Sequence, residues 1–358
     1  MASDFSVMTQ RWLQLALARL SLDWGVDSTR PWSELALRSG LSALQLGAGQ
    51  LLRVGGLRRE LRRRGELRFA LWRVPLSFEH FSRSKAPSRF LRGAGRSFSE
   101  RDASPRSPLA IPRGRVLWIP GWGDTPFSWF PLAVASTLQQ GFEELVILDF
   151  PGFHGSLAHS RCITHLDRFF ELTQDLVREF RPDALVGHSL GGWLAARAAC
   201  DPLTAPSRLI LMAPSGLCGG AAERAQWQKE FQSVVRSASA EEYGKKLFAK
   251  PPAGWGKVGS VFLPFLERED TREFLDSVEA RHFLDESTEA LLSQMSVKQV
   301  HLLWGVSDQV VPERFSAHWL KHVPQAQLTR WQNVGHMPHV EKPLALLRWL
   351  RRNLSDLS

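Results

Sequence analysis

The stretch DALVGHSLGGWLAARAA, residues 183–199, says more about the fold than any other part of the chain. An apolar run leads into GHSLGG, residues 187–192, and helix-forming residues follow it. The pattern G-x-S-x-G between a strand and a helix places a serine on a sharp, exposed turn. Gly187 and Gly191 remove side chains that would clash at such a turn. We therefore predict that Ser189 is a nucleophile at a helix N-terminus, where the dipole favours developing negative charge.

Short apolar runs recur on both sides of this stretch, and each is bounded by turn residues, as buried strands are. The runs are RVLWIP (115–120), ELVILDF (144–150), DALVGHS (183–189), RLILMAP (208–214) and VHLLWG (300–305). Helical patterns lie between them at 127–140, 166–180 and 190–201. Strands that alternate with helices predict an α/β fold with a parallel sheet, in which ligands bind at the carboxyl ends of the strands.

Residues 217–297 interrupt this alternation with an all-helical pattern. The expected helices are 221–238, 239–249, 271–284 and 286–296. The pairs Ser239 with Glu242 and Asp270 with Glu273 have the spacing of capping boxes, which mark helix starts. An all-helical insertion between two strands of a parallel sheet is most simply a lid over the strand ends.

A serine hydroxyl is a weak nucleophile unless a base takes its proton. In strand-turn-helix architectures of this kind the base is a histidine late in the chain. QNVGHMPHVEKP, residues 332–343, offers two, and we predict that His336, in the loop after an alternating strand at 328–331, is the base. His339 is expected to pack at the start of the helix that follows.

The base needs an acid that orients the imidazole and stabilises its charged form. WGVSDQVVP, residues 304–312, places Asp308 in the loop directly after a strand, between the serine and the histidine in chain order. We predict that Asp308 is this acid. The alternative is that its carboxylate only closes an Asx turn.

Two backbone N–H groups should stabilise the oxyanion. One belongs to Leu190, the residue after the nucleophile, and the other is expected in the loop IPGWGDT that follows the strand 115–119. Trp122 is well placed there, because Gly121 and Gly123 allow that loop to fold tightly. The Trp122 indole either walls the pocket or serves ordinary packing.

Over roughly 114–354 the chain resembles the α/β-hydrolase family. Besides the G-x-S-x-G turn, DFPGFHGS at 149–156 looks like the family's Asp-x-Pro-Gly-x-Gly-x-Ser loop, with His154 where a small residue is usual. His154 either lines the pocket mouth or lies on a surface loop. The family commonly has His-Gly before its oxyanion residue, whereas this chain has Pro120-Gly121, which keeps the backbone donor and removes a polar side chain.

The resemblance implies an α/β-hydrolase fold: a mostly parallel eight-stranded sheet flanked by helices, with a helical lid inserted after the sixth strand. It divides the chain into a core, 114–216 and 298–358, and a lid, 217–297. It implies neither a metal nor an organic cofactor. The side chains or backbone of Gly121, His188, His154 and Trp255 are expected to line the substrate pocket.

The chain before residue 114 has no clear counterpart in the family. Residues 1–65 give the pattern of a helical basic extension, and 66–113 that of a poorly defined strand and a linker. Residues 1–113 carry 20 Lys and Arg against 9 Asp and Glu, a net charge of +11, whereas residues 114–358 carry −2. The excess of arginine predicts either a solvated helical face or a contact with an anionic partner.

Among anionic partners, a membrane surface is favoured over nucleic acid. If residues 50–65 are helical, their arginines with Leu57 and Leu61 form an amphipathic basic stretch, and no nucleic-acid-binding motif accompanies it. The three cysteines make no disulfide framework or metal-ligand spacing, the N-terminus lacks a leader pattern, and no apolar run reaches membrane-spanning length. We expect a cytoplasmic protein, peripheral to the inner face of the membrane if it binds there at all, whose oligomeric state the sequence leaves open.

These residues favour a serine hydrolase that cleaves a carboxylic ester of an apolar acyl group through an acyl-enzyme. The aromatic residues of the expected lid, Phe231, Phe248, Trp255, Phe262, Phe265 and Phe274, suggest the apolar substrate, although core packing also explains most of them. The same triad serves acyl transfer, thioester hydrolysis and C–C bond cleavage. A non-catalytic binding module would normally have lost a member of the triad.

Overall fold

The structure is a computed structural model of the chain. It describes residues 51–54, 58–64, 67–79, 114–124, 144–150, 163–217, 219–252, 263–264, 266–277 and 286–354, together with residues 126, 128, 129, 132, 133, 136, 142 and 255. Before residue 114 the only described side chain is that of Leu71.

A single sheet forms the centre of the molecule. Within the described residues its strands are β1 (Leu51–Val54), β2 (Arg58–Arg64), β3 (Leu67–Glu79), β4 (Arg115–Ile119), β5 (Glu144–Asp149), β6 (Ala184–His188), β7 (Arg208–Met212), β8 (Gln299–Gly305) and β9 (Ala326–Trp331). Their order is β1-β3-β5-β4-β6-β7-β8-β9, with β2 also paired to β3. The six strands from β4 to β9 are parallel, and β3 joins them antiparallel to β5. The α/β fold with a mostly parallel sheet is thus confirmed.

The edge of the sheet at β1 and β2 differs from the expectation. Residues 51–54 and 58–64 are strands, so the helix expected over this part of 1–65 is wrong. Val54 lies opposite Leu76 and Arg58 opposite Arg73, so β1 and β2 run one after the other along β3. The described strands therefore number nine, whereas eight were expected.

Alternate residues of the central strands face opposite sides of the sheet and enter two hydrophobic clusters. In β4, Leu117 and Ile119 belong to the larger cluster, and Val116 and Trp118 belong to the other. Every residue of β6 and β7 is buried. Burial on both faces explains why these strands read as unbroken apolar runs.

Helices cover both faces of the sheet. Helix α1 (Leu166–Phe180) and helix α2 (Leu190–Ala198) contribute to the larger cluster, whereas the C-terminal helix, which ends at Leu354, contributes Leu346, Leu350 and Leu354 to the other. In the part of the chain that the structure describes, no helix combines the length and apolarity needed to cross a membrane.

Between β7 and β8 the chain forms the helical insert, residues 217–297. Its described helices are α3 (Ala221–Val235), α4 (Ala240–Leu247), α5 (Glu269–Ser277) and α6 (Glu286–Ser293). Ser239 caps α4 as predicted, because its hydroxyl oxygen accepts from the N–H of Glu242 at 3.1 Å. The cap predicted at Asp270 is wrong: this residue lies inside the first turn of α5 and pairs with Arg268.

After β8 the chain returns to the alternating pattern. A 3-10 turn, Glu313–Phe315, leads into α7 (Ser316–His322), and β9 follows it. Beyond β9 lie the short helix α8 (Pro338–Glu341) and the C-terminal helix α9 (Pro343–Leu354).

Candidate active site

Ser189 occupies the turn between β6 and α2 at the carboxyl end of the central strands. Its backbone has φ 53° and ψ −121°, a conformation that is unusual for a residue with a side chain. Three hydrogen bonds hold it there. The Ser189 N–H donates to the Met212 carbonyl at 2.9 Å, and its own carbonyl accepts from the N–H groups of Trp193 and Ser215. Backbone strain held by its surroundings is characteristic of functional sites.

The glycines around Ser189 are required by close backbone contacts. A Cβ atom on Gly187 would lie 2.4 Å from the Gly191 carbonyl oxygen, and one on Gly191 would lie 2.1 Å from that of Ile119. Both distances are shorter than any real Cβ contact. The structure therefore agrees with the sequence argument that this turn excludes side chains at these two positions.

Asp308 and His336 form a buried pair beside this turn. Oδ2 of Asp308 lies 2.8 Å from Nδ1 of His336, and the two residues are 5% and 4% exposed. The other oxygen of Asp308 accepts from the N–H groups of Val310 and Val311, both at 2.9 Å. Because a carboxylate accepts and does not donate, Nδ1 of His336 carries the proton and Nε2 is left to act as a base.

The main chain of His336 is fixed on both sides. Its N–H donates to the Leu247 carbonyl at 2.7 Å, and its carbonyl accepts from Nε2 of His188 at 2.8 Å. His188 immediately precedes Ser189, so this bond ties the histidine loop to the nucleophile turn. The Ser189 hydroxyl makes no hydrogen bond to any described residue; catalytic contacts of this kind often close only when substrate binds.

His188 is buried beside the site, and the pocket role expected for it stays a prediction. The residue is only 2% exposed, and its ring packs against Trp129 and against the ring of His336. Burial, followed by the neighbouring His336 and His339, holds the pKa of His188 well below its usual value. It is a neutral donor that supports the His336 loop, a role the sequence did not reveal because the two residues are 148 positions apart.

The loop predicted to supply the second oxyanion donor lies against the nucleophile. A Cβ on Gly121 would be 3.3 Å from the Ser189 Cβ. Residues 121–124 form a turn in which the Asp124 N–H donates to the Gly121 carbonyl at 3.2 Å, with Gly123 at φ 74°. A positive φ at the third position is what a type II turn requires, and glycine adopts it without strain. Trp122 therefore lies near Ser189, and Leu190 begins helix α2 beside it.

The aromatic side chains above this turn pack against the helical insert. The indole of Trp122 stacks on Phe274 of α5 with ring centroids 5.6 Å apart, and Phe274 meets Phe169 edge-on. Trp255 instead packs within the insert: its indole N–H donates to the Ala240 carbonyl, and its ring meets Phe248 edge-on. Trp122 thus joins the insert to the site, whereas the contacts of Trp255 are those of packing.

A second histidine, His339, is buried close to the site. His339, in α8, stacks on Trp129 at 3.7 Å between ring centroids. Burial, followed by the proximity of His336, lowers its pKa from 6.5 to about 3, and neither ring nitrogen has a hydrogen-bond partner among the described residues. The closest carboxylate oxygen, on Asp124, is 4.0 Å away. His154, the remaining expected pocket residue, lies outside the described residues.

Sequence comparisons identify the family of the chain. The model of the alpha/beta hydrolase family matches residues 116–349. The chain is also 28% identical, over 267 residues, to the dihydrolipoyllysine-residue acetyltransferase component of the acetoin cleaving system of Cupriavidus necator. That match includes 67% of this chain and 63% of the relative, so this chain spans less than two thirds of the relative's length.

Solved structures share the fold at low sequence identity. A bacterial membrane phospholipase A superposes with a TM-score of 0.61 at 19% identity, over 96% of this chain and 98% of that one. The 2-hydroxy-6-oxo-6-phenylhexa-2,4-dienoate hydrolase of Rhodococcus sp. strain RHA1 superposes with a TM-score of 0.58 at 18% identity, over 83% of this chain and 98% of that one.

Proposed function

Because the chain belongs to the α/β-hydrolase family, we propose that it is a serine hydrolase that cleaves a carboxylic ester of an apolar acyl group through an acyl-enzyme. The observation that supports this most strongly is the buried 2.8 Å contact between Asp308 and His336, beside the strained turn that carries Ser189. A neutral imidazole with its Nδ1 proton held by a carboxylate is the base that a serine nucleophile needs.

The proposed reaction has two halves. Nε2 of His336 takes the proton of the Ser189 hydroxyl as its oxygen attacks the ester carbonyl, and the backbone N–H groups of Leu190 and Trp122 stabilise the oxyanion. His336 then gives that proton to the leaving alcohol, which departs and leaves the acyl group on Ser189. Water, activated by the same imidazole, releases the acid in the second half.

An apolar acyl group fits the surroundings of the oxyanion turn. Trp122, Phe274 and Phe169 form a chain of aromatic contacts from that turn into the helical insert. Aromatic and aliphatic side chains are the usual lining of a small-molecule pocket, with a few polar groups that orient the ligand. We propose that the helical insert acts as a lid and that these rings face the acyl chain.

Hydrolysis of short p-nitrophenyl esters tests the assignment. Ser189→Ala should abolish turnover, because no other hydroxyl stands at the strained turn, whereas Ser207→Ala, at an exposed position before β7, should leave it unchanged. Circular dichroism should confirm that both variants fold. Turnover retained by folded Ser189→Ala would refute the mechanism.

Acyl transfer is the second candidate. The name of the Cupriavidus necator relative includes an acetyltransferase, and the proposed acyl-enzyme can react with an alcohol or a thiol as readily in principle as with water. Adding alcohol and thiol acceptors to the ester assay separates the two, since transfer yields a new ester or thioester. A product consisting of free acid alone, at every acceptor concentration, favours hydrolysis.

We also propose that the basic part of the chain contacts anionic membrane at the inner face of the cytoplasmic membrane. The support for this proposal is the net charge of +11 over residues 1–113. Residues 58–64 form a strand, so the expected amphipathic helix does not support the proposal. The whole chain should sediment with vesicles that contain phosphatidylserine, and salt should release it. Equal sedimentation with neutral phosphatidylcholine vesicles would end this proposal.

A further inference from the structure

Glu341 joins two parts of the molecule that are distant in sequence. It ends helix α8, and its carboxylate accepts from two backbone N–H groups at 2.8 Å each. One belongs to Gly335, the residue before His336, and the other to Ala249, just after helix α4 of the insert. One carboxylate therefore spans the histidine loop and the helical insert.

Direct backbone contacts accompany this bridge. The His336 N–H donates to the carbonyl of Leu247, the last residue of α4. A Cβ on Gly335 would lie 2.6 Å from that same carbonyl oxygen and 2.8 Å from the Ala249 nitrogen. The two segments thus touch along their backbones, and the approach is possible only because residue 335 is glycine.

Burial of the charged Glu341 carboxylate at this position costs free energy. Burial raises the pKa of Glu341, the hydrogen bonds from the N–H groups of Ala249 and Gly335 lower it, and the nearby Asp308 raises it further. A second carboxylate so near the acid of the triad adds repulsion, which its backbone donors offset. These specific hydrogen bonds indicate that Glu341 does more than fill space.

We propose that Glu341 is a positioning residue, which fixes the His336 loop to the end of α4 and so holds the imidazole between Asp308 and Ser189. This inference rests on the proposed function, because it assigns Glu341 a role through His336. It also gives the insert a second role. Any movement that opens the insert at α4 must strain or release the loop that carries the catalytic base.

The test compares Glu341→Gln with Glu171→Gln, an exposed glutamate of α1 that serves as the matched control. The glutamine side chain keeps one oxygen acceptor but points an N–H group toward the other donor. One of the two hydrogen bonds of the bridge is therefore lost. We expect kcat for a p-nitrophenyl ester to fall about tenfold or more, because small displacements of a catalytic group reduce the rate steeply. KM should stay within about twofold, since the substrate contacts are unchanged. Glu171→Gln should match the wild type in both constants.

If the role of Glu341 is purely structural, the substitution should lower the free energy of unfolding. It should leave kcat unchanged at temperatures where the variant is folded. Wild-type kcat in folded Glu341→Gln would therefore overturn the inference while leaving the proposed function intact. Absence of any esterase activity in the wild type would overturn the proposed function and this inference with it. If Glu341→Gln does not fold, Glu341→Asp, which keeps the charge but is too short to reach both donors, carries the same expectation and the same refutation.

Discussion

At the level of single residues, the proposed mechanism depends on the tautomer of His336. The Asp308 carboxylate holds the Nδ1 proton of the imidazole, and its second oxygen is held by two backbone N–H groups. The geometry of the acid is thus set before substrate arrives. One oxygen of the carboxylate therefore binds the loop and the other binds the imidazole. The contacts of Asp308 thus go beyond those of an Asx turn.

Asp308→Asn tests this arrangement. The amide keeps an oxygen for Val310 and Val311, but it presents N–H groups to the imidazole and so favours the tautomer with its proton on Nε2. We expect kcat for ester hydrolysis to fall by a factor of about a thousand to ten thousand. Near-ultraviolet circular dichroism should remain that of the wild type. A loss of less than tenfold in the folded variant would mean that Asp308 does not orient the base.

At the scale of elements, the junction of β4, β6 and α2 decides whether the nucleophile turn can form. Gly191 lies where the first turn of α2 crosses the end of β4, and a Cβ there would meet the carbonyl oxygens of Ile119 and Pro120 at 2.1 and 2.3 Å. These are backbone atoms of the central sheet. They cannot move away without disturbing the pairing of β4.

Gly191→Ala should therefore lower the free energy of unfolding by about 3 kcal/mol or more, measured by urea denaturation followed through tryptophan fluorescence. Gly220→Ala is the matched control, because nothing lies within 4 Å of its added Cβ at the start of α3. That control should lose less than about 1 kcal/mol. If both variants lose the same free energy of unfolding, the close backbone contact at Gly191 is not what excludes a side chain there.

The sequence predicted the elements that carry local signals. The strands of the core were predicted from unbroken apolar runs. Ser189, Asp308 and His336 were predicted because each follows the end of a strand. The edge strand β2 was predicted as part of a helix, since RRELRRR lacks the alternating pattern of a strand and becomes one only through pairing with β3. In such cases tertiary pairing overrides local propensity.

The long-range contacts around the proposed triad could not be predicted from the sequence either. His188 and Glu341 make hydrogen bonds to segments 148 and 92 positions away, and no periodicity encodes such pairs. Gly335 carried a signal, because a glycine directly before the predicted base indicates a close backbone approach at that point. Its partner, the end of α4, still required the structure.

At the scale of the whole molecule, two neutral histidines buried beneath the site link stability to pH. The pKa of His339 falls from 6.5 to about 3 on burial, and that of His188 is also well below its usual value. Between about pH 3 and 6.5 the unfolded chain therefore binds more protons than the folded protein does. Stability from this source is complete above about pH 6.5 and is lost progressively as the pH falls.

We expect the free energy of unfolding to drop between pH 7 and pH 5, with His339 alone contributing about 2 kcal/mol at pH 5. His339→Phe keeps a flat ring on Trp129 and removes two nitrogens that have no hydrogen-bond partner among the described residues. Urea denaturation at several pH values should show a shallower decline for this variant. An identical decline would mean that His339 is protonated in the folded protein.

In the proposed mechanism, residues from three loops of one sheet act as a single catalytic unit, which covalent labelling can detect. The wild type and His336→Ala are treated with a fluorophosphonate, and the modified peptide is identified by mass spectrometry. We expect one adduct, on Ser189, in the wild type. Because His336→Ala lacks the base, its labelling rate should be at least about a hundredfold lower. Modification at another residue, or an undiminished rate without His336, would contradict the proposed mechanism.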